Sequence, residues 1–334
     1  MLASFLFFVL AISGCERSSE REHQLFRGET MGTSYNVTLV AEEGRTLDID
    51  RDAMQRNLDE RLAEVNQQMS TYIDDSELMR FNRSEIGQWQ RLSAPLAEVL
   101  SLSHNISKRS EGAFDITVAP LVNLWGFGPE GEPEQTPGDD QLRRAMVDVG
   151  YEHLQIEGDR ARRMRAIHLD LSGIAKGFGV DQLAEFLESR GYQHYLVEIG
   201  GEVRLSGESP RGDRWRIGIE QPAALREGAR KAVALTDIAM ATSGDYRNYY
   251  ERDGQRYSHT IDPRTGRPIQ HKLVSVTVLA ETSAEADAWA TALNVLGAQE
   301  GMRIAEREKL AVYMIVKEGE GLVDRHSEAF EPYW

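Results

Sequence analysis

The chain has 334 residues, 41% hydrophobic and 28% charged, which is enough to bury a large core as one big domain or two ordinary ones. Its formal net charge of -16 argues against a nucleic-acid partner, because neutralising phosphates takes a basic footprint. A single cysteine, Cys15, excludes an intrachain disulfide.

Leu2 to Ile12 is an apolar run of signal-peptide length, too short to span a bilayer. It ends in Ile12-Ser13-Gly14-Cys15, similar to a bacterial lipobox in which the cysteine becomes the lipidated first residue. That reading gives a signal peptide over 1–14 and a lipidated tether over 15–24. A cleaved signal peptide, or a misplaced start codon with an incidental cysteine, is the alternative. Met31–Val40 alternates as a strand. Over Asp50–Met69, the residues Met54, Leu58, Leu62, Val65 and Met69 recur at helical spacing. A second helix is expected over Pro95–Arg109, with Leu96, Val99, Leu100, Ser103 and Ile106 facing inward and Pro95 in the first turn.

Gly128–Asp140 reads as an exposed loop, followed by a helix near Asp139–Met146 and strands near His153–Glu157 and Ala166–Asp170. Ile174–Ser189 has helical periodicity and Gly191 to end it. Short alternating runs follow at Tyr195–Ile199, Glu202–Leu205, Trp215–Ile219 and Ala232–Leu235. Leu273–Leu279 is a strand, Glu285–Leu296 a helix and Ala311–Val316 a late strand. Strands and helices are segregated, which predicts an α+β fold of antiparallel sheets flanked by helices, in one large domain over 25–334.

An acidic protein that handles an anionic substrate needs a local positive device: a metal ion, a helix N-terminus or a placed lysine. Asp170-Leu171-Ser172-Gly173-Ile174-Ala175-Lys176-Gly177 offers two of these, a strand-to-helix turn with Lys176 in the first turn. A helix start capped by Ser172, with Lys176 in solvent, explains the same residues. Thr282-Ser283-Ala284-Glu285 looks like a capping box, which fixes the phase of the following helix and puts Asp287 and Thr291 on one face. Two hard oxygen donors one turn apart suit Mg²⁺; an acid stabilising its own helix dipole is the alternative. His259, before the turn Asp262-Pro263-Arg264-Thr265-Gly266, is a candidate general base, a ligand contact or a structural histidine. Gly126-Phe127-Gly128-Pro129-Glu130-Gly131 fits G-x-G-x-x-G, but Pro129 and the acidic loop after it exclude a dinucleotide fingerprint.

Taken in order, several segments resemble the ApbE family of FAD:protein FMN transferases. They are Thr30–Thr33, Met69–Tyr72, Gly112–Asp115, Pro120–Gly128, Asp170–Gly177, Glu198–Glu202, Ser243–Tyr246, His259–Gly266 and Ala286–Ala288. The resemblance implies an ApbE-type, T-fold-like domain that moves FMN from FAD to a Ser or Thr hydroxyl of a partner protein and releases AMP. It implies Mg²⁺ held by Asp287, Thr291 and the Gly173 carbonyl. It places Met31, Tyr72, Ala113, Phe114, Asp115, Asp170, Lys176 and His259 around FAD, with Tyr72, Phe114 and Trp125 as candidate ring walls. His259 is the candidate for activating the acceptor hydroxyl, with Asp262 and Asp170 as competitors. The implied partners are flavin-acceptor subunits of respiratory complexes, of the Na⁺-translocating NADH:quinone reductase or Rnf type. The implied location is the periplasmic side of the inner membrane, lipid-anchored through Cys15. A Mg²⁺-dependent FAD pyrophosphatase and a non-enzymatic flavin-binding lipoprotein are the competing functions.

Overall fold

In a computed structural model, residues 20–334 are described, apart from 130, 132, 134, 221–228, 245–248, 253 and 320. The expected signal peptide, Cys15, and the Asp245-Tyr246 end of one motif lie outside the described residues. Eight strands form one antiparallel sheet in sequential order. They are β1 (His23–Thr30), β2 (Thr33–Val40), β3 (Tyr195–Ile199), β4 (Glu202–Ser206), β5 (Ile238–Gly244), β6 (Leu273–Ala280), β7 (Ala311–Glu318) and β8 (Gly321–His326). Every long excursion of the chain is spliced between two strands that pair with each other. The helices α1 (Arg51–Met69), α2 (Ala94–Arg109) and α3 (Ala175–Ser189) leave between β2 and β3, and α4 (Ser283–Glu308) leaves between β6 and β7.

Strand alternation sorts the side chains between two apolar layers. Val312, Met314 and Val316 of β7 face the helices and join Leu96, Val99, Leu100 and Trp289, while Tyr313 and Ile315 face the other way. That second face is covered by the hairpin Trp215–Glu220/Ala229–Leu235 and by Phe330 near the C-terminus. The α+β expectation is met, and the predicted inward residues of α1 and α2 are all buried.

Four local expectations are corrected. Met31 does not begin a strand: Met31 and Gly32 (φ 50° and 72°) form the two-residue loop of the β1–β2 hairpin, where both positions need positive φ. β1 starts at His23, inside the span read as tether; this edge strand buries only Phe26 and Thr30 and so lacks the alternation that reveals strands. Ala166–Asp170 makes a single parallel bridge, Val118 to His168. The strand lies instead at Arg160–Arg163, paired with Leu154–Glu157. α4 continues past Leu296 to Glu308, with Gly297 non-helical at φ 74°.

α3 and α4 meet at their N-termini, closer than side chains allow. A Cβ on Gly177 would lie 2.3 Å from the Ser283 carbonyl oxygen and 2.8 Å from the Ala284 Cα. Asp181 of α3 accepts from the Ser283 and Ala284 N–H groups at 2.9 and 2.8 Å, and from Arg204 at 3.1 Å. Asp287 of α4 accepts in return from the Gly177 N–H of α3 at 3.1 Å. Gly177→Ala gains about 1 kcal/mol of helix propensity but costs about 1–3 kcal/mol in backbone displacement. We therefore expect a net loss of stability, read as a lower urea midpoint with an unchanged slope.

Candidate active site

Two cavities, of about 850 and 580 Å³, flank the start of α3 and share Gly32, Asp170, Ser172 and Lys176 in their walls. The larger also takes in Phe114, Glu202, Ser243, His259, Asp287 and Thr291, and the smaller Met31, Met69 and Tyr72. Together they form a two-lobed groove whose lobes adjoin at Asp170 and Lys176.

Asp170 tightens the turn before α3 by accepting from the Ser172 N–H at 2.8 Å. Ser172 is not the cap: the N-cap position is Ile174, with no side-chain cap hydrogen bond. The Gly177 N–H at this end is satisfied by Asp287. Asp287 is therefore more than an acid on its own helix; it complements the positive end of the neighbouring one. At α4 the Thr282 hydroxyl accepts from the Glu285 N–H at 3.3 Å, as the capping pattern predicts.

Lys176 is no solvated lysine. Its Nζ lies 2.7 Å from Glu202 Oε1 and 3.9 Å from Asp287 Oδ1, both carboxylates being nearly buried. Burial works to lower the lysine pKa, but the two carboxylates outweigh it and leave it raised. Burial pushes the Asp287 carboxyl up against the pull of Lys176 and the Gly177 N–H. Glu202 is likewise pushed up, to about 7, by burial opposed by Lys176. Glu202 Oε2 has no hydrogen-bond partner. One cation thus serves two buried acids, and the pocket has an appetite for further positive charge.

Thr291 Oγ1 is 3.5 Å from the Gly173 carbonyl oxygen, and a Cβ on Gly173 would come 3.2 Å from that hydroxyl. The hydroxyl, the carbonyl and the Asp287 carboxylate supply hard oxygen donors of the kind Mg²⁺ accepts. Among the described residues no group of three His, Cys, Asp or Glu gathers as a metal site. A divalent ion here depends on the hydroxyl and carbonyl donors.

The other predicted residues divide. Met31, Tyr72, Phe114, Asp170, Lys176 and His259 line the groove. Tyr72 is 73% exposed at its rim, open for a ring to stack on. Asp115 reaches the cavity wall, but its carboxylate is spent on Thr117 N–H and Oγ1 and on Tyr151 N–H, at 2.7–2.9 Å. It brackets the loop that presents Phe114. Ala113 is buried and lines neither cavity. Asp262 is corrected as a base candidate: Arg264 takes both of its carboxylate oxygens at 2.9 Å, and it lines neither cavity. Trp125 is corrected as a ring wall: it is buried, donates to the Gly266 carbonyl at 2.8 Å and stacks on Tyr257. The aromatic run continues through Tyr250 to Phe127, whose ring edge meets His259 at 6.4 Å.

Sequence reasoning gave no role to Glu202 or Asp181. Glu202 was visible only as the end of Glu198–Glu202, and nothing in spacing marks Asp181 as the cap of a helix a hundred residues later.

The ApbE family model matches residues 31–314. A Vibrio cholerae protein named FAD:protein FMN transferase is 45% identical over 326 residues, covering 97% of this chain and 96% of the relative. The solved flavin transferase ApbE from Vibrio cholerae superposes with a TM-score of 0.87 at 44% identity, covering 94% of this chain and all of that one. The apo flavinyl transferase ApbE of Pseudomonas stutzeri gives 0.85 at 40% identity, covering 94% and 97%. With most of its length matched by the family model, and with relatives this similar end to end, the chain belongs to the ApbE family.

Proposed function

We propose that this protein transfers FMN from FAD to a Ser or Thr hydroxyl of a partner protein, with AMP as the leaving group. The observation that carries the reading is the meeting of Gly173, Thr291, Asp287 and Lys176 in the wall of the larger cavity, beside the junction with the smaller one. The related proteins named for this activity support it.

In the proposed reaction the acceptor oxygen attacks the FMN phosphorus, the bridging P–O bond breaks and AMP departs with the bridging oxygen. His259, at the wall of the larger lobe, takes the hydroxyl proton. Lys176, steered by Glu202, faces the phosphates with a fixed positive charge. Gly173, Asp287 and Thr291 would hold Mg²⁺, which when bound neutralises charge on the transferring phosphoryl group. Tyr72 offers an exposed ring face on the smaller lobe, and Phe114 lines the larger one beside Gly173. A lipid anchor at Cys15 on the periplasmic side would keep the enzyme beside membrane-bound acceptors, such as subunits of Na⁺-translocating NADH:quinone reductase or Rnf-type complexes. Among the described residues, no helix is long and apolar enough to cross a membrane.

Incubation with FAD, Mg²⁺ and an acceptor domain should leave a fluorescent flavin band on the acceptor in a denaturing gel, and EDTA should abolish it. Free FMN and AMP with an unlabelled acceptor would instead establish the hydrolase. Asp287→Ala should lose metal-dependent turnover by about 10²-fold or more, since it removes an oxygen ligand and a helix cap together. His259→Ala should slow transfer by about 10²–10⁴-fold while FAD still quenches in a binding titration. Full transfer by the His259 variant removes that residue from the chemistry.

A further inference from the structure

α4 carries more than the metal-binding pair. Asp287, Thr291 and Asn294 follow at spacings of four and three and so share one face. Asp287 and Thr291 line the larger cavity, whereas Asn294 is 1% exposed behind it. Its side-chain amide donates to Thr260 Oγ1 at 3.3 Å. Thr260 follows His259 directly and also lines the cavity.

The backbone of Asn294 makes a second link. Gly297, with φ 74°, interrupts α4 one turn later, and a Cβ there would come 3.0 Å from the His271 ring. In the space so left, His271 Nε2 donates to the Asn294 carbonyl at 2.6 Å. A carbonyl only accepts, so this ring nitrogen carries the hydrogen. Between the two links the chain folds back as a small hairpin, with Ile261 opposite Pro268 and the Ile269 N–H donating to the Thr260 carbonyl at 3.0 Å. Both ends of the segment 259–271 are therefore fastened to one residue, on the helix that holds Asp287 and Thr291.

We infer that Asn294 is a positioning residue: a two-point clasp that sets the distance between His259 and the Asp287–Thr291 donor pair. The inference rests on the proposed role of His259. Asn294 and His271 line neither cavity, so loss of the clasp acts less on FAD binding than on the step in which the acceptor hydroxyl must meet the phosphorus. Small misplacements of a reacting group are costly in rate, up to about 10²-fold for 1 Å.

The test is a double-mutant cycle on the full-length protein with Asn294→Leu and Thr260→Val, followed by FMN transfer to an acceptor domain. Each single variant should lower kcat about five- to twenty-fold. KM for FAD and the Mg²⁺ concentration for half-activation should stay within about twofold. The double variant should be no slower than the slower single one, because both changes break the same bond. Multiplicative losses, an unchanged kcat, or a loss that appears in KM for FAD would overturn the clasp. If Asn294→Leu fails to fold, Thr260→Val alone must show the kcat-only loss. His259→Ala, run in parallel, separates the two ideas: an unaffected His259 variant rejects the base, while the cycle still reports whether Asn294 acts through Thr260.

Discussion

The abutting N-termini of α3 and α4 cap each other, and the site is built on that exchange. Asp181 of α3 closes the first N–H groups of α4, and Asp287 of α4 closes the Gly177 N–H of α3. Each helix end is a partial positive charge seeking a carboxylate, so each helix supplies the group that the other lacks. Contact at Gly177 is backbone to backbone, so no side-chain volume sets the spacing. Lys176, one residue before Gly177, is thereby fixed beside Asp287, and Gly173 is held near Thr291.

Electrostatics then follows from a shortage of cations. Glu202 and Asp287 are both buried, with Lys176 between them. Burying two carboxylates against one ammonium is poorly compensated in a low-dielectric interior, which is why both acids sit above their ordinary pKa values. A dianionic pyrophosphate entering such a place would meet net repulsion. A divalent ion would reverse the sign locally, and the hydroxyl and carbonyl oxygens of Thr291 and Gly173 would add ligands without adding negative charge. With such an ion in place, an acidic protein would accept an anionic substrate without a basic surface.

Much of this was legible in the sequence where periodicity is strong. The stripe from Met54 to Met69, the inward set from Leu96 to Ile106 and the phase that puts Asp287 and Thr291 on one face follow from spacing alone. The edge strand β1 was hidden because one anchor, Phe26, does nearly all its burying. The central strand β5 lies within a stretch where several short runs compete. Asp262 misled because an acid in a turn looks available until its neighbour Arg264 is seen to hold it. Glu202, Asp181 and Asn294 were out of reach for a common reason: each works through a partner more than twenty residues away, and no local pattern encodes such a pair.

Splicing the long excursions between neighbouring strands has a consequence for the order of events as the chain folds. The β1–β2 hairpin closes on its own two-residue loop, but β2 must wait for Tyr195 to pair with Leu39. α3 in turn has no partner for its Gly177 N–H until α4, more than a hundred residues later, arrives. Contacts of such separation form slowly, because loop-closure entropy is spent before the contact is gained. The larger cavity is therefore completed late: until α4 docks, the Asp287 and Thr291 oxygens are missing from its wall. A ligand that needs both helix starts then stabilises only chains in which α4 has met α3.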